Sequence, residues 1–192
     1  MKLKENLWVV IAVIFVAIGT RIIPHYPNFT AVGAAALFGG AYLRRPYAVL
    51  IPILSIFISD LILNNLIYAK QFPDKYDGFV VFEPQTLWTY GIFIVIALMG
   101  SKWIREGKIF SVIGTSLAAS VLFFLVSNFS VWPGSTIYPQ TIIGLGTSYV
   151  AGIPFFWNTL VGDLFFVAIF FGGYELVKVL ARKRANRTHL SQ

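Results

Sequence analysis

The stretch IFSVIGTSLAASVLFFLV, from Ile109 to Val126, contains no charged residue. A run of this length, rising about 1.5 Å per residue as a helix, reaches most of the way across a hydrocarbon core roughly 30 Å thick. Further apolar runs lie on both sides of it. Of the 192 residues 57% are apolar and 12% charged, and the mean hydropathy is +0.76. A soluble domain of this size has to wet most of its surface and has no place to hide so much apolar area. The solvent for these side chains is a bilayer, and the fold class expected is an all-α, polytopic transmembrane bundle.

Breaks at charged and Pro-rich segments divide the chain into about six spans. These are Leu7 to Ile23, Thr30 to Leu43, Tyr47 to Leu66, Leu87 to Gly100, Ile109 to Val126, and Pro154 to Leu180. Pro154 is expected in the first turn of the last span. Between the third and fourth lies a wet segment, Tyr68 to Thr86. Before the sixth come a charge-free loop, Ser127 to Gln140, and a glycine-containing stretch, Thr141 to Gly152. Residues 1–181 form one transmembrane domain, and residues 182–192 a basic, frayed tail. The second span is short and built from small residues, among them Gly33, Ala34, Ala35, Ala36, Gly39 and Gly40. Either its flanks snorkel to complete the crossing, or it is partly re-entrant within the bundle.

The net charge of +7 does not point to nucleic acid, because the basic residues are sorted by side. With six crossings, one side receives Lys2, Lys4, Arg44, Arg45, Lys102, Arg105, Lys108, Lys178, Arg182, Lys183, Arg184 and Arg187. The other receives Arg21, Lys70 and Lys75. This positive-inside bias predicts cytoplasmic termini and a multi-pass protein of a bacterial inner membrane. Trp88, Trp132 and Trp157 then fall near the outer interface, and Trp8 and Trp103 near the inner one.

In such a chain the ionisable residues of the spans carry the information, since a charge in lipid is expensive. Counting from the span ends places Asp60, Asp163, Arg21, Asn28 and Asn128 in the outer leaflet, with Tyr138, Trp132 and Asn158 at or near its boundary. One reading is a solute-binding pocket open to the outside, in which Asp60 and Asp163 meet the ligand, Arg21 balances charge and the asparagines supply hydrogen bonds. Two carboxylates and one guanidinium leave one negative charge, which suits a cationic or hydroxyl-rich solute. The other reading is structural: an Arg21–Asp ion pair, with asparagines capping helix ends. His25 is a loop histidine or a proton switch. Glu175 is placed to pair with Lys178 at i+3.

Weak internal similarity accompanies this pattern. Asn28-Phe29-Thr30 recurs as Asn128-Phe129-Ser130, Tyr47 with Ile51-Pro52 recurs as Tyr149 with Ile153-Pro154, and Asp60-Leu61 recurs as Asp163-Leu164. Transporters carry such repeats, and so, by chance, do apolar chains of low complexity.

An enzyme is not expected. The chain has no Cys, no His or Cys metal cluster, no plausible Ser–His–Asp set and no nucleotide-binding loop, and no cofactor or metal is implied.

Two resemblances follow. Pro27-Asn28-Phe29-Thr30-Ala31-Val32-Gly33-Ala34, Phe38-Gly39-Gly40-Ala41, Ser127-Asn128-Phe129, Ile153-Pro154-Phe155-Phe156 and Gly162-Asp163-Leu164 are similar to an uncharacterised bacterial membrane family, a domain of unknown function, over essentially the whole chain. More distantly, the length, the six spans and the outward polar cluster resemble the S (substrate-binding) components of energy-coupling-factor transporters. That resemblance implies capture of a small solute or ion from the outer face. It also implies docking, through small-residue helix faces, onto a transmembrane coupling protein served by ATPase subunits. The nearest match to an Ala-x-x-x-Ala docking face is Ala31 with Ala35, on the second span. The alternative is a non-transporting membrane scaffold whose polar residues are structural.

Overall fold

A computed structural model describes residues 7–74, 76 and 78–190. Lys2, Lys4, Lys75 and Asp77 lie outside the described residues, as do the side chains of Arg184 and Arg187. Among the described residues the regular structure is all helical. In chain order the helices are α1 (Leu7–Ile22), α2 (Val32–Tyr42), α3 (Arg45–Gln71, including a π-helical stretch Leu63–Tyr68), α4 (Thr86–Trp103), α5 (Ile109–Ser130) and α6. Helix α6 runs through Ile142–Val167, a π-helical turn Ala168–Gly172, and Gly173–Leu190. Four of them, α3 to α6, are long and apolar enough to cross a membrane, while α1 and α2 are shorter apolar helices.

The shortest helix is the centre of the bundle. Residues 31–40 are all buried, and α2 packs most extensively on α4 and then on α3, with α6, α1 and α5 completing the ring. Its composition is the reason. A Cβ on Gly40 would run into the Ala97 carbonyl, and one on Gly100 into the Leu37 carbonyl, so α2 and α4 meet backbone to backbone. Gly39 lies against Ala48, whose carbonyl loses its usual helical donor to Pro52. Small residues at these crossings let three helices approach closely, which is how helices associate where the surroundings are as apolar as the interface. Helix α2 thus rises only about 16 Å, and the non-helical residues 23–31 lead into it from α1. The side chains facing outward are apolar, among them Phe15, Phe110, Ile142, Ile143 and Trp157.

Helix α6 departs most from the sequence reading. The stretch Thr141 to Gly152 is its beginning rather than a separate segment, and Pro154 is an interior proline rather than a first-turn one. Gly144 and Gly152 are close-approach points, to Pro139 and to the Asn128 side chain respectively. That packing selects glycine without ending the helix. The C-terminal side continues as helix to Leu190 where a frayed tail is expected. Helix α6 is long: its stretch Ile142–Lys183 alone has 42 residues, roughly 60 Å at helical rise, about twice a hydrocarbon core.

Helices α3 and α6 run in opposite directions against α2, Ala48 lying beside Gly39 and Asp163 beside Gly33, with Tyr174 beside Tyr42. The two asparagines of the proposed repeat differ locally. Asn28 is in a turn at φ 65°, and Asn128 is in the last turns of α5. One end of the bundle gathers Arg44, Arg45, Lys102, Arg105, Lys108 and Lys178. There Lys178 bridges Glu106 (2.6 Å) and Glu175 (2.9 Å). Arg21 and Lys70 lie toward the other end.

Candidate functional site

Helix α1 delivers Arg21 in its last turn, against α3. The guanidinium reaches Asp60 at 2.7 Å, donates to the Ser59 hydroxyl at 2.6 Å and to the Ile56 carbonyl at 3.3 Å. Each side chain of the ion pair is about a fifth exposed. Asp60 therefore spends its charge on Arg21. The acid is also absent from the walls of the cavity described below, which Arg21 lines.

Asp163 is in a different situation. It is 7% exposed and lies level with Ser120, near the middle of α5, deeper than the outer-half position expected from the sequence. The shift follows from the earlier start of α6. The Ser120 hydroxyl donates to Oδ2 at 2.6 Å. The Oδ1 side faces the backbone of Gly33, where a Cβ would collide with it. Oδ1 has no hydrogen-bond partner among the described residues. Gly33 is in the first turn of α2, so the carboxylate sits at the positive end of a buried helix, worth about 0.3–2 kcal/mol. Burying a carboxylate costs several kcal/mol, and one hydroxyl with a helix end does not offset it. One turn back on α5, the buried Ser116 hydroxyl is without a hydrogen-bond partner among the described residues.

Asp163 borders a cavity of about 390 Å³, toward the small end of the roughly 300–1,000 Å³ usual for small-molecule sites. Its floor is Asp163, Gly33, Ile56 and Ile96, all buried, and its rim is the exposed trio His25, Pro27 and Asn28. It is open at the end of the bundle away from the basic cluster. Thr30, Thr89 and Thr159 supply hydroxyls along its sides, and Leu63 and Tyr68 mark the two ends of the π-helical stretch of α3. π-Helical turns recur at functional sites. A second cavity, about 270 Å³, lies between α5 and α6 and shares Asn28, Phe123 and Thr159 with the first.

The remaining expected site residues divide. Asn28 is at the rim between both cavities. Asn128 and Tyr138 line the second cavity, and the Asn128 amide also donates to Phe124 O at 2.8 Å. Trp132 closes its own loop, its indole donating to Pro139 O at 2.9 Å. Asn158 is half-buried and lines neither cavity. Thr159, its neighbour, does. The sequence held a signal for Thr159, since it precedes Asp163 by four residues and so shares its helix face. It held none for Gly33, Ser120 or Phe93, which reach the site from other helices.

The fold and cavity define a helical bundle, four of its helices long and apolar enough to cross a membrane, with a buried acid at the base of an end-opening cleft. The chain belongs to the family of unknown function DUF6580, whose model matches residues 1–186. Neither the curated proteins nor the solved structures yield a match, so the likeness to energy-coupling-factor S components rests on the sequence reading alone. Ala31 and Ala35 are fully buried inside the bundle and present no face to a partner, so docking would have to use another surface.

Proposed function

We propose that this is a multi-pass inner-membrane protein that captures a small solute from the outer face, with Asp163 as the group that recognises it. In this reading the chain crosses six times, residues 23–31 completing the α2 crossing, and the basic end and both termini face the cytoplasm. The sorting of basic residues supports that orientation. The observation that carries the functional reading is Asp163, a buried carboxylate half-satisfied by protein and bordering an open cavity. An acid retained at such a depth needs a polar visitor. Binding and release need no hydrolysis by this chain. Uptake would draw energy from partner chains, such as a transmembrane coupling protein with ATPase subunits.

A screen of small solutes by thermal shift in detergent tests this. Stabilisation by a solute, lost in Asp163→Ala and kept in a variant of the rim-distant Trp132, supports capture. No stabilising solute, together with equal melting of wild type and Asp163→Ala throughout the screen, refutes it. The Arg21–Asp60 pair favours the second reading, a membrane scaffold with structural polar groups, for its own corner of the bundle. That reading predicts the same result for every solute: no shift.

A further inference from the structure

We infer that the cavity is built for a small organic monocation, an ammonium with a compact apolar body, its charged head held at Asp163 Oδ1; this rests on the solute-capture reading above. The first argument is charge. Two formally charged side chains line the cavity, Arg21 and Asp163, and Arg21 is already engaged by Asp60 outside the walls at 2.7 Å. Asp163 is the acid left over, with one oxygen uncommitted. An anionic ligand would add a second unpaired negative charge beside it in a poorly solvated site, where like charges repel strongly. A neutral polyol would leave the existing one uncompensated. A cation pairs with it, and the three donors of a primary ammonium match a carboxylate oxygen and nearby hydroxyl oxygens such as that of Thr159.

The walls make the second argument. Phe93 and Phe123, from α4 and α5, lie with centroids 5.5 Å apart and both border the cavity. Aromatic rings attract an organic cation through their faces and accept its apolar body, about 0.5–2 kcal/mol for each cation–ring contact. Ile56 and Ile96 continue that apolar surface down to the acid. A hydrated metal ion would find one carboxylate and a few scattered hydroxyls, a poor match to the six or more oxygens of a calcium site or the octahedral demand of magnesium. Among the described residues no group of three or more acidic or histidine side chains is arranged to hold a metal.

The test uses the full chain in lipid nanodiscs at fixed pH and ionic strength. The probes are n-butylamine, phenethylamine and tetramethylammonium, each beside n-butanol, 2-phenylethanol and phenylacetate, read by thermal shift and by isothermal titration. Expected is stabilisation by at least one ammonium and by none of the neutral or anionic analogues, with affinity at least tenfold weaker in Asp163→Asn. That variant keeps the size of the side chain and an acceptor for Ser120. A second variant, Phe93→Leu, should weaken phenethylamine more than n-butylamine. Binding confined to neutral or anionic probes, or ammonium binding unchanged in a folded Asp163→Asn protein, overturns the cation assignment and leaves solute capture standing. If no probe binds and the broad solute screen is also empty, both fall.

Discussion

Asp60 and Asp163 are both aspartates within apolar helices, the first partly exposed on α3 and the second buried on α6, and their surroundings have little in common. Asp60 meets a guanidinium that is itself braced by Ser59 and the Ile56 carbonyl. Asp163 meets one serine hydroxyl and the first turn of a half-length helix. The first arrangement closes a polar account between α1 and α3. The second leaves an oxygen facing a cavity. An acid among apolar helices is informative according to its partners, not its depth.

Removing each acid separates the two most sharply. Asp60→Ala strands the Arg21 guanidinium against α3. Loss of one partner of a fully buried pair costs about 3–5 kcal/mol, and with a fifth of each side chain exposed we expect about 2–3 kcal/mol. The measurement is the denaturation midpoint in detergent, where Asp60→Ala falls by several degrees. Asp163→Asn should do the opposite in the absence of ligand, melting at or above wild type, because an amide is cheaper to bury than an underpaired carboxylate. Equal losses from the two substitutions would show the acids to be equivalent and remove the basis for assigning them different roles.

The contact of Asp163 with α2 gives a smaller effect. Gly33→Ala places a methyl where the carboxylate lies, an overpacking of about 1–3 kcal/mol. Truncation to Asp163→Ala makes room for it, so the double variant should recover most of that loss. A double-mutant cycle reads the coupling, expected at about 0.5–3 kcal/mol. Additive losses would mean that the Gly33 backbone and the acid do not touch.

The smallest effect belongs to the opposite end of the bundle. There the hydrogen bond from Lys178, followed by its charge, holds the Glu106 carboxyl below its ordinary value of 4.5. A carboxyl with a depressed folded-state value contributes stability above its unfolded value and loses it as the pH falls below 4.5 toward the folded one. Glu106 is fully exposed, so solvent and salt screen the pair. Melting followed from pH 6 to pH 3 should show a slight excess acid sensitivity of wild type over Glu106→Gln, vanishing at high salt. The Asp163 site, being shielded, should show no such salt dependence.

Much of the architecture was legible in the primary sequence. The limits of α1, α4 and α5 follow the apolar runs to within a few residues. The small-residue face of α2 signals a helix meant for the interior. The start of α6 was not legible, because Thr141 to Gly152 is rich in glycine and Pro154 looks like a helix opener. Only the contacts of Gly144 with Pro139 and Gly152 with Asn128 explain those glycines. With α6 starting twelve residues earlier, Asp163 moves from the expected outer half to the level of Ser120, near the middle of α5.

The amino-acid sequence carries the helical character of this protein, including helices long and apolar enough to cross a membrane, and it singles out the few groups whose charge would be costly there. Hydrophobic runs are local, so they can be read locally. Tertiary structure alone decided that Arg21 goes to Asp60, that Asn158 turns aside while Thr159 turns in, and that Asp163 keeps an oxygen free beside Gly33. Those outcomes depend on how helices far apart in sequence are rotated and shifted against one another, and that register is fixed by close packing across their faces.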